Sequence, residues 1–451
     1  AAGGVLLALA GLTRQLLDGG PLRYAVGGWG APLGIDLYAD GLSLLMLWMT
    51  AAVGALVSLY SLGYFRAEPR QALAFWPLWL ALWAGLNALY LSADLFNLYV
   101  TLEVLTLAAV SLVVMAGKAE AVAAGLRYLL FALLGSLCYL LGVALLYRGY
   151  GLLDIAALGR AVTAAPDTWL AFGLMTAGLL LKTAIFPLHV WLPPAHSAAP
   201  SPVSALLSAL VVKGSFYLLL RLWFDLFQPA VTPAAGQLLG ALGAAAIVYG
   251  SFQALRQARL KLLVAYSTVA QLGYLLLLFP LTGPLAGNGV TYHALSHACA
   301  KAALFLAAGN IIHTLGHDRI AALRDLERGM PVTLFAFGLA GVSIMGLPPS
   351  GGFLAKWLLL KAALAAQQWW WGVAILLGGL LAAVYTFKVL RHAFGQWQRP
   401  RTPHAGRHLP LTMELIPLYL ALLAVALGFT GAPLLHLLEI GSPFYVAEAA
   451  P

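Results

Sequence analysis

Apolar runs of about 20 residues, the length that crosses a bilayer, follow one another along the whole chain and are joined by short connections rich in Gly, Pro or charge. The pattern predicts spans at 3–18, 40–63, 73–92, 95–116, 126–148, 169–190, 202–223, 236–255, 262–280, 291–315, 331–360, 370–390 and 410–431, about thirteen in all. Each should be helical, because lipid offers an open backbone no hydrogen-bond partner. The alternation of a membrane barrel is absent. Two runs are interrupted. The first carries Lys182 ahead of Pro187 and stays irregular through Pro193, Pro194, Pro200 and Pro202. The second, "VSIMGLPPSGGFLAKWLLLK", places Gly346, Pro348, Pro349, Gly351 and Gly352 before Lys356. Pro removes a helical donor and Gly weakens a helix, so both runs predict broken helices. They lie an odd number of spans apart, which would set two units in opposite membrane orientations, as in inverted repeats around a mid-membrane site. A pair of ordinary proline kinks is the plainer alternative.

Composition agrees: 62% of residues are hydrophobic and 9% charged, where a soluble domain carries roughly a quarter charged. The fold class expected is an all-α polytopic membrane protein. Basic residues gather in alternate connections: Arg66 and Arg70; Lys118 and Arg127; Arg256, Arg259 and Lys261; Arg319, Arg324 and Arg328; Arg391, Arg399, Arg401 and Arg407. The opposite connections offer little beyond Arg23, Arg148, Arg160 and Lys361. That asymmetry orients the first set towards the cytoplasm. It accounts for the net charge of +9 without a nucleic-acid partner. Cys138 and Cys299 both fall inside spans and read as small apolar side chains. No nucleotide loop or Cys-x-x-Cys pair occurs, so no cofactor is expected. The first residue is not Met and the opening run lacks a basic flank, which suggests missing N-terminal residues, not a signal peptide.

Charges inside the apolar runs carry the candidate chemistry, since a charge at mid-bilayer costs at least about 2.5 kcal/mol. The deep basic residues are Lys182, Lys213, Lys301 and Lys356; Glu103 is the one carboxylate well inside a span, with Asp94 and Glu414 nearer the ends. Glu103 is the natural counter-ion of Lys182, and the pair could serve simply to hold two helices together. One carboxylate cannot neutralise four cations, however. A buried lysine without a counter-charge exchanges its proton more readily than one in water, which suits a proton relay. His293, His297 and Lys301 recur at i, i+4 and i+8, one helical stripe about 12 Å long. Histidine donates and accepts protons near neutrality. A lone membrane histidine is usually a packing residue, but three titratable groups in register favour function. The His pair has a spacing that can bind metal, yet no carboxylate or Cys joins it, and no metal site is assigned. His189 and His196 flank the first break as interface residues or as proton-access groups. Arg256, Arg259 and Lys261 read as orientation charges, Tyr266, Ser267, Thr268 and Gln271 as groups that could order water, and Trp369, Trp370 and Trp371 as an interfacial belt.

Four stretches together resemble a known family: "LKTAIFPLHVWLPPAHSAAPSPVSALLSALVVKG", "AYSTVAQLGY", "HALSHACAKAALFLAAGNIIH" and "GLPPSGGFLAKWLLLK". They look like the signature stretches of the proton-translocating antiporter-like subunits of respiratory complex I, membrane-bound hydrogenases and Mrp-type cation/proton antiporters. The resemblance covers nearly the whole chain. It implies about fourteen core helices, hence a missing first one, and two inverted five-helix repeats. On this chain those are 73–223 and 236–390, after N-terminal helices in 1–72 and before a C-terminal helix and tail in 391–451. It also implies a relay order: Glu103 with Lys182, then Lys213, then His293, His297 and Lys301, then Lys356. Pro187, Pro348, Pro349, His189, His196 and Gln271 would serve proton access or gating. Pro194 stands where many relatives have Asp, and Gln271 where several have His.

"VGGWGAPLGIDLYADGLSLLML" and "DLFNLYVTLEVL" most resemble the Mrp D subunit and its hydrogenase-complex relatives. One complex I subunit type has glutamate where Lys356 stands, and the largest type continues into a long lateral helix. The expected function is therefore proton translocation in a multi-subunit Na+/H+ antiporter of a prokaryotic inner membrane, partnered by other membrane subunits. It would be a transporter subunit, not an enzyme in itself; in a redox complex it would be a translocase subunit without its own redox centre. The alternative is the homologous pumping subunit of a redox-driven complex. A standalone solute carrier would need a substrate cavity with specific polar ligands, where the sequence offers a line of titratable groups. A pure scaffold does not explain the buried lysines.

Overall fold

The computed structural model describes residues 2–324, 326–394 and 409–446. Arg399, Arg401 and Arg407, part of the loop-charge asymmetry, lie outside the described residues.

Helix α1 (Ala2–Gly19) leads into a two-stranded antiparallel sheet of β1 (Leu22–Ala25) and β2 (Asp36–Ala39), with Leu22 opposite Ala39 and Ala25 opposite Asp36. This small sheet departs from the all-helical expectation. Gly20 and Pro21 stop α1, and Arg23 on β1 is held by Asp36 at 3.2 Å and Asp154 at 2.8 Å. Apart from it, the described chain is mostly helical. Next come α2 (Gly41–Tyr64), α3 (Pro69–Leu91), α4 (Leu95–Val114) and α5 (Ala119–Tyr150), each long and apolar enough to span. Short α6 (Ile155–Ala161), half-length α7 (Pro166–Lys182) and short α8 (Leu192–Ala198) precede four more spans. Those are α9 (Ser201–Leu226), α10 (Pro233–Arg256), α11 (Leu260–Leu281) and α12 (Gly283–Leu315). Half-helices α13 (Pro331–Met345) and α14 (Gly351–Ala365) follow, then the spanning α15 (Trp369–Ala393). The last pair, α16 (Leu411–Ala426) and α17 (Gly431–Leu438), is bent by 78°.

Nine helices among the described residues are long and apolar enough to cross a membrane, or ten with the bent pair as one span. The chain is a multi-span membrane protein. The thirteen runs expected are not all spans by that measure. Helix α1 carries Arg14, Gln15 and Asp18 in its second half, and the two interrupted runs are divided into helices of 17, 15 and 15 residues.

Helix starts are specified locally. Asp40 caps α2 through a reciprocal box with Ser43, and Asp94 and Asp154 accept from Asn97 and Ala157 at 2.8 Å each. Burial raises the Asp94 carboxyl above its ordinary pKa, against the bond from Asn97. Bridges Leu37–Ser92 and Asp94–Asp154 gather these starts at one end of the bundle, the Arg23 face. A bridge between Arg259 and Arg319 marks the other end, the Arg259 face.

At its centre α9 is buried along its whole apolar stretch, whereas α3, α5, α10 and α15 turn much of their surface outward. Gly135 and Gly178 let α5 and α7 cross backbone to backbone, since a Cβ on either would strike the other's carbonyl. After Lys182, α7 gives way at Ala184, with φ of 58°, and α13 ends on Gly346, with φ of 82°. Both breaks hold a cis proline, at Phe186–Pro187 and Pro348–Pro349. At Gly346 the left-handed conformation and the Lys356 side chain, which would lie 2.6 Å from an added Cβ, both require glycine.

Candidate functional site

The deep titratable residues singled out in the sequence fall into three groups. In the first, Lys182 at the end of α7 donates to Glu103 on α4 at 3.3 Å and to Thr106, one turn further along α4, at 2.8 Å. Ser136 on α5 donates to the same Glu103 oxygen. The carbonyls exposed by the break are also taken up: Trp191 donates to that of Leu181 at 2.9 Å, with Tyr128 stacked on its ring. Thr183 donates to Ser215 on α9 at 2.9 Å. A pocket of about 20 Å³ lies between Thr106, Lys182, Val211 and Ser215, room for one water.

The second group centres on α9. Residues 207–211 form a π-helical turn, and the Ser208 carbonyl accepts from Lys213 at 2.6 Å. Such a turn shifts the ladder by one residue and leaves a carbonyl to spare. Ser208 Oγ meets Thr268 on α11 at 2.9 Å. Helix α11 turns a polar stripe to its neighbours. The Val264 carbonyl, at 2.9 Å, and Ser267 receive Lys301 from α12, and the Gln271 carbonyl contacts His293 Nε2 at 2.9 Å. His297 stacks on His293 at 5.6 Å. The expected stripe on α12 therefore exists, and all three of its side chains are buried.

Lys356 on α14 forms the third group. It reaches back across the break and donates to the carbonyls of Ile344 at 2.7 Å and Met345 at 3.1 Å. An ammonium there caps the negative end of half-helix α13. Its nitrogen also lies 4.7 Å from the centre of the Tyr274 ring, whose other neighbour is His293 at 5.1 Å. Tyr274 thus joins the second group to the third.

Other candidates take subsidiary places. His189 packs among Phe186, Tyr249 and Tyr266. His196 is fully buried against Phe305, and neither ring nitrogen has a hydrogen-bond partner among the described residues. Gln271 is buried, and Pro187, Pro348 and Pro349 shape the breaks. Two expectations need correction. Lys261 is no surface orientation charge: it is buried and donates to the Ala199 carbonyl beside His196, because the 192–200 segment folds over the start of α11. It borders a cavity of about 320 Å³ at the Arg259 face, with Tyr64, Lys118, Ser201, His317 and Asp318. Trp371 is packed inside and bonded to Gln368, so the exposed belt is Trp369 and Trp370. Two carboxylates at the span ends belong to a further ion network. Asp40, fully buried, binds Arg221 at 2.5 Å, and Arg221 also holds Asp225 at 3.2 Å.

A family profile described as "NADH:quinone oxidoreductase/Mrp antiporter, TM" matches residues 92–382, which include the three groups around Lys182, Lys213 and Lys356. The chain belongs to that family. A second profile, "NADH-Ubiquinone oxidoreductase (complex I), chain 5 N-terminus", matches residues 29–73. Among related family members, NADH-quinone oxidoreductase subunit N of Desulforudis audaxviator is 38% identical over 92% of this chain and 86% of its own length. The D-type subunit of a Bacillus subtilis Na(+)/H(+) antiporter is 30% identical over 97% of this chain and 87% of its own. A chain in the Mrp complex of Dietzia sp. DQ12-45-1b superposes with a TM-score of 0.90 at 26% identity, over 99% of this chain and 92% of that one. One in the membrane-bound sulfane sulfur reductase, an archaeal respiratory membrane complex, gives 0.89 at 28%, over 100% and 93%.

Within this family member, the sequence reading missed Thr106, Ser136, Tyr274 and the Arg221 network as parts of the polar interior. Thr106 had a signal, three residues from Glu103 on one helix face. Ser136 had none, since hydroxyl side chains are ordinary in spans, and Tyr274 had only its place at the end of "AYSTVAQLGY".

Proposed function

We propose that this chain is the proton-translocating subunit of a multi-subunit Na+/H+ antiporter of Mrp type in a prokaryotic plasma membrane, with its basic loops in the cytoplasm. The observation that carries the reading is the pair of buried Lys182 with partly exposed Glu103, at the head of three further buried lysines, each held by carbonyls or a hydroxyl and, among the described residues, no carboxylate. Protons would pass between Glu103 and Lys182, then Lys213, then Lys301, His297 and His293, then Lys356. Each proton alters the cost of charging the next group. Movement of Lys182 between Glu103 and Lys213 would switch the line, and the breaks with His189, His196 and Gln271 would serve proton access.

Two inverted five-helix units, 73–223 and 236–390, fit the half-helices. Helix α7 starts after α6 at the Arg23 face, α13 starts after the Arg319 connection at the Arg259 face, and both stop inside the bundle. The TM-scores to chains of two multi-subunit complexes support other membrane subunits as partners. Sodium could cross in one of them, because Glu103 is the only carboxylate along the line among the described residues.

A second reading, the pumping subunit of a redox-driven complex, is favoured by the 38% identity to a NADH-quinone oxidoreductase subunit N. The discriminating experiment expresses the whole operon in cells lacking other antiporters and follows proton movement in everted vesicles. Sodium-dependent proton movement that is lost in Glu103→Ala, with the complex still assembled, supports the antiporter. Wild-type vesicles that ignore sodium but pump on addition of an electron donor would move the chain to the redox reading.

A further inference from the structure

A groove of about 840 Å³, within the size range of ligand pockets, runs between α10 and α15 near the Arg259 face. Val384 and Phe387, both exposed, form its deeper part, and Leu255 and Phe394 flank its outer end. The charged side chains that line it are both cations: Lys388 and Arg391, one and two turns beyond Val384 on the same face of α15. Their depth is fixed by the exposed Trp369 and Trp370 at the other end of that helix. From Trp370, Lys388 and Arg391 lie about 27 Å and about 32 Å along the axis, the separation of the two edges of a hydrocarbon core. The groove therefore opens into the bilayer, and its cations stand at the level of the headgroups.

Lys388 donates to the carbonyls of Leu255 and Gln257 at 2.7 Å each, closing the end of α10, and an ammonium has a third donor to use. Arg391 is exposed. Among the described residues no carboxylate lies within ion-pair distance of either cation. The sequence explains why: no Asp or Glu occurs between Asp225 and Asp318, a stretch that includes α10, nor between Glu327 and Glu414, which includes α15. An anion that balances this pair comes from outside the two helices.

We propose that this groove is a binding site for one anionic phospholipid. An acyl chain lies on Val384 and Phe387, and the phosphate takes the Arg391 guanidinium and the spare donor of Lys388. Through Lys388 the headgroup is joined to the end of α10, so the lipid ties the two spans together. A partner helix seated in the groove would have to bring a carboxylate to the depth of the headgroups as well as an apolar face to Phe387. An anionic lipid supplies both with one molecule, and its phosphate already lies at that depth. The site is independent of the relay reading and of which face is cytoplasmic.

The test uses the assembled complex in vesicles of phosphatidylcholine with a minor share of phosphatidylglycerol. Phe387→benzoylphenylalanine places a photo-reactive group in the groove, and its adducts are identified by mass. The same probe at Leu130, exposed on α5, reports the ordinary bilayer. The ratio of phosphatidylglycerol to phosphatidylcholine adducts should be about fivefold or more higher at 387 than at 130, the preference that one surface cation gives an anionic lipid. Adding Arg391→Gln should lower the ratio at 387 about fivefold. Equal ratios at 387 and 130 overturn the proposal, and that comparison stands even if Arg391→Gln fails to assemble. An adduct at 387 to a protein segment, of this chain or of a partner subunit, in place of lipid also overturns it. A ratio untouched by Arg391→Gln in an assembled complex overturns the assignment of the headgroup to these cations.

Discussion

Replacing Arg221 by Met tests how α9 is fastened to the start of α2 at the Arg23 face. Asp40 is fully buried and Arg221 nearly so, and at 2.5 Å their gross attraction is roughly 7 kcal/mol in an effective dielectric of about 20. Most of that offsets the loss of water around both ions. The measurable quantity is the penalty of leaving one ion alone, about 3–5 kcal/mol for a buried pair. In Arg221→Met, Asp40 keeps only its capping bond from the Ser43 amide at 2.9 Å, while the half-exposed Asp225 can turn to solvent. In Asp40→Asn the cap survives and Arg221 leans on Asp225 alone. Arg221→Met should therefore lose about 3–5 kcal/mol, Asp40→Asn should lose less because Asp225 still pairs with Arg221, and the double variant should lose less than the sum of the two. Equilibrium unfolding in mixed micelles, titrated with a denaturing detergent, measures all four proteins. A loss under about 1 kcal/mol in Arg221→Met, or costs that simply add, would refute the argument.

At the proposed relay, Glu103→Gln removes the anion facing Lys182 with almost no change of volume, and should lower sodium-dependent proton transport about tenfold or more; vesicle assays on the assembled complex check it. Lys356→Arg keeps donors for the Ile344 and Met345 carbonyls but cannot release its proton, so assembly should survive and transport should stop in the same assay. Gly178→Ala puts a methyl against the Gly135 carbonyl one turn before Lys182. It should cost about 1–3 kcal/mol in unfolding measurements and displace the Lys182 ammonium, lowering transport as well. Asp94→Ala removes the cap of α4 and should cost about 1 kcal/mol by detergent unfolding. Asp94→Asn can still accept from Asn97 while shedding a charge that burial disfavours, so it should unfold like wild type.

What the sequence made legible was whatever lipid makes costly. Lys182, Lys213, Lys301, Lys356 and Glu103 stand out because each interrupts an apolar run, and the two breaks stand out because Pro and Gly crowd them. Groups near the ends of runs were read less well. Hydropathy treats Lys261, Asp40 and Arg221 as interfacial, since each lies within a few residues of a polar connection. Burial of Lys261 arises from the irregular 192–200 segment lying over it, and burial of Asp40 from the end of α9 meeting the start of α2. Both are contacts between segments distant along the chain, which no local pattern encodes. The sheet of β1 and β2 was missed for the same reason: each strand has four residues, too few for an alternation to show, and Arg23 is fixed by partners on β2 and before α6.

The way the lysines are held bears directly on a relay. A carboxylate partner would hold an ammonium and weaken its grip when the proton leaves. A carbonyl accepts from an ammonium or from a neutral amine, so the geometry survives the loss of the proton. Lys213 on Ser208, Lys301 on Val264 and Lys356 on Ile344 and Met345 all have partners of the second kind. Those carbonyls are supplied by irregular backbone at two of the three sites: the π turn of α9 and the C-terminal end of α13. Broken helices and buried lysines are then one design. Irregularity frees carbonyls inside the membrane, where each needs a donor, and lysine supplies a donor that keeps its place in either protonation state. Of the four, Lys182 faces a carboxylate, so its position depends on charge where that of the others does not, and it is the member of the proposed line best suited to switch.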